Sequence, residues 1–386
     1  MRWLVGLLVV WAGTAVAEPV RLASLPSLDR TAVTVSGLSS GAFFAHQFHV
    51  AHSGLVTGAG LVAGGPYACA EQTDEPFWLS AHPYARTVAA VTVCTRMARS
   101  AFQFWSDWWG ALPDAPVVER SVEATSAAWA ASAIDDPANL AGHRVWLFSG
   151  TRDSVVPGTT VAVLAGYYER VGVTGARLAV LDDVPAGHGL PVASFDGESR
   201  FRKLDCGDQE PPFIVDCDFD AAERLLRHLY PGAIAEQPGE AVRDRLLAFD
   251  QNEFFDAAEA QSSLASTGYL YVPEACAAGA APGTAPDTTA GSCRLHVAFH
   301  GCSQNVESVD DDFVWDGGYN RWAEANAMVV LYPQTAPWTP FWDPLGWGGN
   351  PKGCWDWWGY TGEGYSGRAG IQMTAVRSMV ERLLAD

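Results

Sequence analysis

Residues 33–48 read Val-Thr-Val-Ser-Gly-Leu-Ser-Ser-Gly-Ala-Phe-Phe-Ala-His-Gln-Phe, an apolar strand, a Gly-x-Ser-x-Gly box and a helical run in direct succession. In that setting the box constrains the fold. Gly37 and Gly41 let a strand turn sharply into a helix, so that Ser39 sits in a strained turn with its hydroxyl presented. The box alone would fit any small-residue turn; the flanking strand and helix make Ser39 a candidate nucleophile. A serine nucleophile requires a base to take its proton and an acid to orient that base.

Both partners lie downstream, each just past a strand. Val145-Trp146-Leu147-Phe148 is a buried-strand pattern, and Asp153 follows it in Ser-Gly-Thr-Arg-Asp. The pattern at 177–181 is the next strand, and His188 follows it in Pro-Ala-Gly-His-Gly. Ser39, Asp153 and His188 thus occur in the order of an α/β-hydrolase triad. Further strands are expected at 58–62, 267–273, 295–300 and 328–332, and helices at 159–171, 219–229, 319–327 and 370–384. Strands alternating with helices imply an α/β protein with a mostly parallel sheet covered by helices on both faces. The cysteine-bounded stretch 67–95, the polar stretch 231–268 and the tryptophan-dense stretch 338–358 read as loop excursions from one catalytic domain, 18–386.

The start of the chain reads as an export signal. Met1-Arg2-Trp3 is basic, Leu4 to Val16 is apolar, and Ala15-Val16-Ala17 is a small-residue cleavage pattern, which makes 1–17 a signal peptide. An apolar run of about 13 residues is short of the roughly 20 that span a bilayer. A secreted or periplasmic protein with no integral membrane span is expected. The eight cysteines contain no Cys-x-x-Cys pair, so disulfides are favoured over zinc. Sequential pairing is the simplest of on the order of 100 connectivities. The net charge is −20 and the only lysines are Lys203 and Lys352, which argues against nucleic acid and anionic membrane as partners.

The oxyanion hole is out of its usual place. One N–H comes from the residue after the nucleophile, Ser40, and the second normally from a loop after an earlier strand. Little precedes the box here. Apart from His188-Gly189, already assigned to the triad, the His-Gly that follows a strand is His300-Gly301-Cys302, followed by the helix and strand that ordinarily come before the nucleophile. The economical reading is a circularly permuted α/β-hydrolase in which the N–H of Cys302 faces that of Ser40.

Several motifs share one resemblance: Val-Ser-Gly-Leu-Ser-Ser-Gly, Ala-Gly-Gly-Pro-Tyr-x-Cys (63–69), Ser-Gly-Thr-x-Asp (149–153), Gly-Tyr-Leu-Tyr-Val-Pro (268–273), His-Val-Ala-Phe-His-Gly-Cys (296–302) and Asn-Pro-Lys-Gly-Cys-Trp-Asp-Trp-Trp-Gly (350–359). Together these resemble the poly(3-hydroxybutyrate) depolymerases, in their circularly permuted single-domain branch. The resemblance implies Ser39 as nucleophile, Asp153 and His188 as its partners, and Ser40 and Cys302 as oxyanion donors. It implies Trp357 as a substrate-contacting residue; Trp355 and Trp358, beside it, are expected to bind substrate as well. It also implies the disulfides Cys69–Cys94, Cys206–Cys217, Cys276–Cys293 and Cys302–Cys354. Stretches 96–140 and 231–265 match less closely.

The expected activity is a serine esterase acting through an acyl-enzyme on a neutral aliphatic polyester or its oligomers. A feruloyl- or acetyl-type carbohydrate esterase is the alternative enzyme, and a non-catalytic polymer-binding protein the alternative of another class. No separate binding module or linker is visible within the chain, so amorphous polymer or oligomers are expected over crystalline polymer. A monomer is expected. No metal or cofactor is expected: His46, His49 and His52 are spread over roughly 120° of a helix, and no nucleotide loop occurs. The tryptophans at 338, 342, 347, 355, 357 and 358 suit, as a group, an apolar cleft wall.

Overall fold

A computed structural model describes residues 19–72, 84–102, 112–193, 203–277, 293–341, 343 and 348–385. The predicted signal peptide, the loop 278–292, Trp342 and Trp347 lie outside the described residues.

In chain order the strands are β1 (Leu28–Leu38), β2 (Val56–Val62), β3 (Arg144–Phe148), β4 (Leu178–Leu181), β5 (Leu190–Val192), β6 (Leu204–Asp205), β7 (Ile214–Asp216), β8 (Leu246–Asp250), β9 (Thr267–Tyr271), β10 (Cys293–Phe299) and β11 (Met328–Tyr332). The α-helices are α1 (Ser40–Ala51), α2 (Ala85–Ala89), α3 (Val118–Ala130), α4 (Gly158–Arg170), α5 (Ala221–Leu229), α6 (Val306–Val309), α7 (Asp312–Asp316), α8 (Tyr319–Ala325) and α9 (Ile371–Leu383). Eight strands form one sheet in the order β4-β3-β2-β1-β10-β11-β9-β8. All neighbours from β4 to β11 run parallel. Only β9 runs against its neighbours β11 and β8.

The chain's first strand therefore lies at the centre of the sheet, hydrogen-bonded to β10 from the far end of the sequence. Its register pairs Ser36 with Ala298 and Gly37 with Phe299, which brings the ends of the two strands level. Alternate residues of β1 point to opposite faces. On one face α1 turns back over the sheet so closely that a Cβ on Gly37 would lie 2.3 Å from the backbone of Gly41. On the other, Leu225 and Leu229 of α5 press on Gly60 and Gly58 of β2. That second face also holds buried polar groups. His296 bonds Thr34 through Nδ1 and Ser36 through Nε2, both at 2.7 Å, and Ser36 donates to the Tyr319 hydroxyl at 2.8 Å. Each of these groups is satisfied, so burial costs little net free energy.

Three expectations change. The stretch 231–268 is not only a surface excursion, because Leu246–Asp250 is the edge strand of the main sheet. The strand is only five residues long, Leu-Leu-Ala-Phe-Asp, inside a long charged stretch, and only Phe249 is buried, Leu247 on the same face being exposed. Residues near His188 add a small three-stranded sheet, β5-β7-β6, with strands too short to show a period. Finally, the excursion 67–95 ends in helical turns at Ala85–Ala89 and Ala90–Cys94 rather than in irregular chain.

All eight cysteines are paired, as Cys69–Cys94, Cys206–Cys217, Cys276–Cys293 and Cys302–Cys354. Among the described residues no helix is long and apolar enough to cross a membrane.

Candidate active site

Ser39 is the single residue between β1 and α1, and its backbone has φ 55° and ψ −123°. Strain of this kind falls on Ser39 itself, since a side chain at positive φ is disfavoured by on the order of 1–3 kcal/mol. The two glycines of the box serve space rather than φ: a Cβ on Gly41 would lie 2.3 Å from the carbonyl oxygen of Phe299. The turn is fixed by the Ser39 N–H donating to Val62 O at 2.9 Å, and by the Ser39 carbonyl accepting from Ala42 and Phe43. The neighbouring Ser40 hydroxyl accepts from the Trp355 N–H at 3.4 Å, so it is turned away from the cavity that Ser39 lines.

Asp153 and His188 meet across two loops. Asp153 Oδ1 accepts the N–H groups of Val155 and Val156 at 2.8 and 2.9 Å, which fixes the carboxylate in its own turn. Its Oδ2 lies 2.8 Å from His188 Nδ1, with both side chains almost fully shielded from water. A carboxylate at Nδ1 places the proton there and leaves the lone pair on Nε2. The loops are joined by backbone bonds from Thr151 to Val184 and from Arg152 to Ala186. The His188 loop is tied in turn by Gly187 N–H to Cys206 O at 2.7 Å, beside the Cys206–Cys217 disulfide.

Ser39 and His188 line one cavity of about 390 Å³ together with Gly301 and Cys302. Among the described residues the N–H groups of Ser40 and Cys302 have no protein acceptor. Free N–H groups at the first turn of α1 and on a facing loop are what a developing oxyanion would bind. The downstream loop is held by Gln304, a residue the sequence reading did not single out. Gln304 Oε1 accepts from the Gly301 N–H at 2.7 Å, and its Nε2 donates to Pro212 O at 2.9 Å. His300 Nδ1 donates to Gly301 O at 2.7 Å while its Nε2 accepts from the Thr335 N–H.

The tryptophans divide. Trp357 and Trp358 line an apolar cavity of about 170 Å³ that shares Met97, Cys302 and Lys352 with the Ser39 cavity. Trp357 stacks on Phe43 with ring centroids 4.1 Å apart. Trp355 does not join them: it is fully buried and packs on Phe44, Phe299 and His300. The expectation that Trp355 contacts substrate is therefore corrected; it is a core residue under α1. Asp356 sets the turn between the rings, its carboxylate accepting from the N–H groups of Gly359 at 2.6 Å and Thr361 at 3.0 Å. Asn350 fixes the loop's other side through Cys354, donating to its carbonyl and accepting from its N–H, both at 2.7 Å.

The helical histidines have separate structural tasks. His46 Nδ1 lies 3.0 Å from Gly65 O, and His49 bridges the Tyr168 hydroxyl and His143 at 2.9 Å each. Among the described residues no cluster of His, Cys, Asp or Glu could hold a metal ion.

No family model matches the chain. It is 37% identical over 364 residues to a poly(3-hydroxybutyrate) depolymerase of Delftia acidovorans, covering 93% of this chain and 61% of that protein. It is 29% identical over 385 residues to a polyhydroxybutyrate depolymerase of Talaromyces funiculosus, covering 98% and 97%. The chain is homologous to poly(3-hydroxybutyrate) depolymerases. The solved PHB depolymerase of Penicillium funiculosum superposes with a TM-score of 0.72 at 28% identity, over 94% of this chain and 98% of that one. A PHB depolymerase variant complexed with an R3HB trimer gives the same TM-score at 27% identity and the same coverage. The depolymerase likeness thus covers nearly the whole chain. It spans about three-fifths of the length of the Delftia relative.

Proposed function

We propose that the protein is a serine esterase that hydrolyses poly(3-hydroxybutyrate) or related short-chain polyhydroxyalkanoates and their oligomers. The observation that carries this reading is the convergence of Ser39, the Asp153–His188 pair and the Cys302 loop on one cavity, in a chain homologous to depolymerases. His188 Nε2 takes the proton of Ser39 as its oxygen attacks the ester carbonyl. The Ser40 and Cys302 N–H groups hold the resulting oxyanion, at a contribution of about 3 kcal/mol per donor. The alcohol fragment leaves with the proton from His188. Water, activated by the same imidazole, then releases the acid from the acyl-enzyme. The apolar cavity beneath Trp357 and Trp358 offers a dry place for methyl and methylene groups of the chain.

The sheet order supports reading the chain as circularly permuted. Beginning from the β8 edge the order is β8-β9-β11-β10-β1-β2-β3-β4, so the half of the sheet before the nucleophile strand is encoded last. Four disulfides support an oxidising location, secreted or periplasmic.

The test is product analysis on an amorphous poly(3-hydroxybutyrate) suspension alongside simple aryl esters. The expected outcome is release of 3-hydroxybutyrate and short oligomers. Hydrolysis of aryl esters with no release from the polymer would favour the carbohydrate-esterase alternative.

A further inference from the structure

The chain carries a net charge of −20, yet the cavity holding Ser39 is lined by Arg96 and Lys352 and by no carboxylate among the described residues. The adjoining apolar cavity also includes Lys352 and no acidic residue. Elsewhere cations are commonly matched with carboxylates, as in Arg99–Asp114 and Lys203–Asp216. The side chains of Arg96 and Lys352 are exposed, and among the described residues they have no ion-pair or side-chain hydrogen-bond partner. Asp153, the carboxylate bonded to His188, is itself buried and committed to that imidazole. Two uncompensated cations at the mouth of a cavity, in a strongly anionic protein, focus a local positive field.

A neutral ester repeat gains little from such a field. The end of a polyester chain is different, because it is a carboxylate and is ionised at neutral pH. We propose that Arg96 and Lys352 form a recognition site for the terminal carboxylate of short polyester chains. The assignment rests on the esterase reading for the identity of the chain and deepens it. Bound there, the carboxylate-ended fragment would be the alcohol that leaves when Ser39 attacks. The protein then prefers free-acid oligomers to the same oligomers capped as methyl esters. Long polymer, with few ends, gains least from the site.

Calorimetric binding separates this from catalysis. The probes are the 3-hydroxybutyrate trimer and its methyl ester, titrated into Ser39→Ala protein with and without the further change of Arg96 and Lys352 to Gln. Charge-assisted hydrogen bonds of this type are expected to give about a tenfold or greater preference for the free acid. The double replacement should bring the ratio of Kd values close to one, added salt should do the same, and Lys352→Arg should retain the preference. Equal affinities in the Ser39→Ala protein, or a preference that survives the double replacement, would overturn the site. Turnover of the methyl ester by the unmodified protein tests the esterase reading separately. If neither trimer is cleaved but the acid binds preferentially, that reading fails and the carboxylate site stands.

Discussion

Ser39→Ala should abolish turnover of soluble ester substrates, lowering kcat by about a million-fold, the scale seen when a triad serine is removed. The expectation follows from the division of labour at the turn. Ser39 lines the cavity with His188, whereas the Ser40 hydroxyl is engaged with the backbone of the tryptophan loop. Ser40 therefore cannot substitute. The variant should keep its fold, because the strained φ at position 39 is maintained by backbone bonds to Val62, Ala42 and Phe43 rather than by the hydroxyl. Circular dichroism and thiol titration on the same preparation check that the structure and the four disulfides persist while activity is lost. Residual activity within a hundredfold of the parent would contradict the assignment.

Mild acid should destabilise the protein steeply, the second large effect. Burial holds the imidazoles of His46, His52 and His300 down to about 4 and that of His296 down to about 3, and it pushes His49 well below its ordinary value. In the unfolded chain each titrates near 6.5. Their folded values are depressed, so the unfolded state binds more protons between about pH 6.5 and 4. Stability is full above that window and is lost as pH falls through it. Each such histidine costs about 1.4 kcal/mol per pH unit within the window. Even three of them acting would remove about 6 kcal/mol by pH 5, comparable with a whole domain's margin of about 5–15 kcal/mol. Asp220 and Asp356 are held above the usual carboxylate range by burial and act with the opposite sign, but they are outnumbered. Thermal unfolding followed from pH 7.5 to 5 should show Tm falling progressively below pH 6.5. A flat Tm across that range would show that the imidazoles are not buried neutral.

Much of this architecture is written in local sequence. The apolar runs ending at Leu38, Val62, Phe148 and Phe299 are central strands shielded on both faces, and such strands announce themselves by composition. Asp153 stands out because it follows such a strand, and His188 because it follows the short apolar run Leu178–Leu181 at the sheet edge. What escaped depends on long-range geometry. The strand Leu246–Asp250 is a five-residue apolar run at the sheet edge, set in a stretch rich in charge, so the surrounding composition hides it. Gln304 and Asn350 act through amides whose partners lie elsewhere in the fold, and nothing in a lone Gln or Asn marks such a bridge. Trp355 and Trp357 stand two residues apart in a loop without a regular period. Only tertiary packing sends one under α1 and the other onto Phe43 at the cavity.

The central claim is that Ser39 is the reactive nucleophile of this cavity, completed by a loop some 260 residues later in the chain. Peptide mass mapping after treatment with a fluorophosphonate tests it most directly. One adduct per chain is expected, on Ser39, and none on the Ser39→Ala protein. An adduct on Ser40, Ser154 or Ser303 instead, or a fully folded protein that takes up no label, would contradict the account.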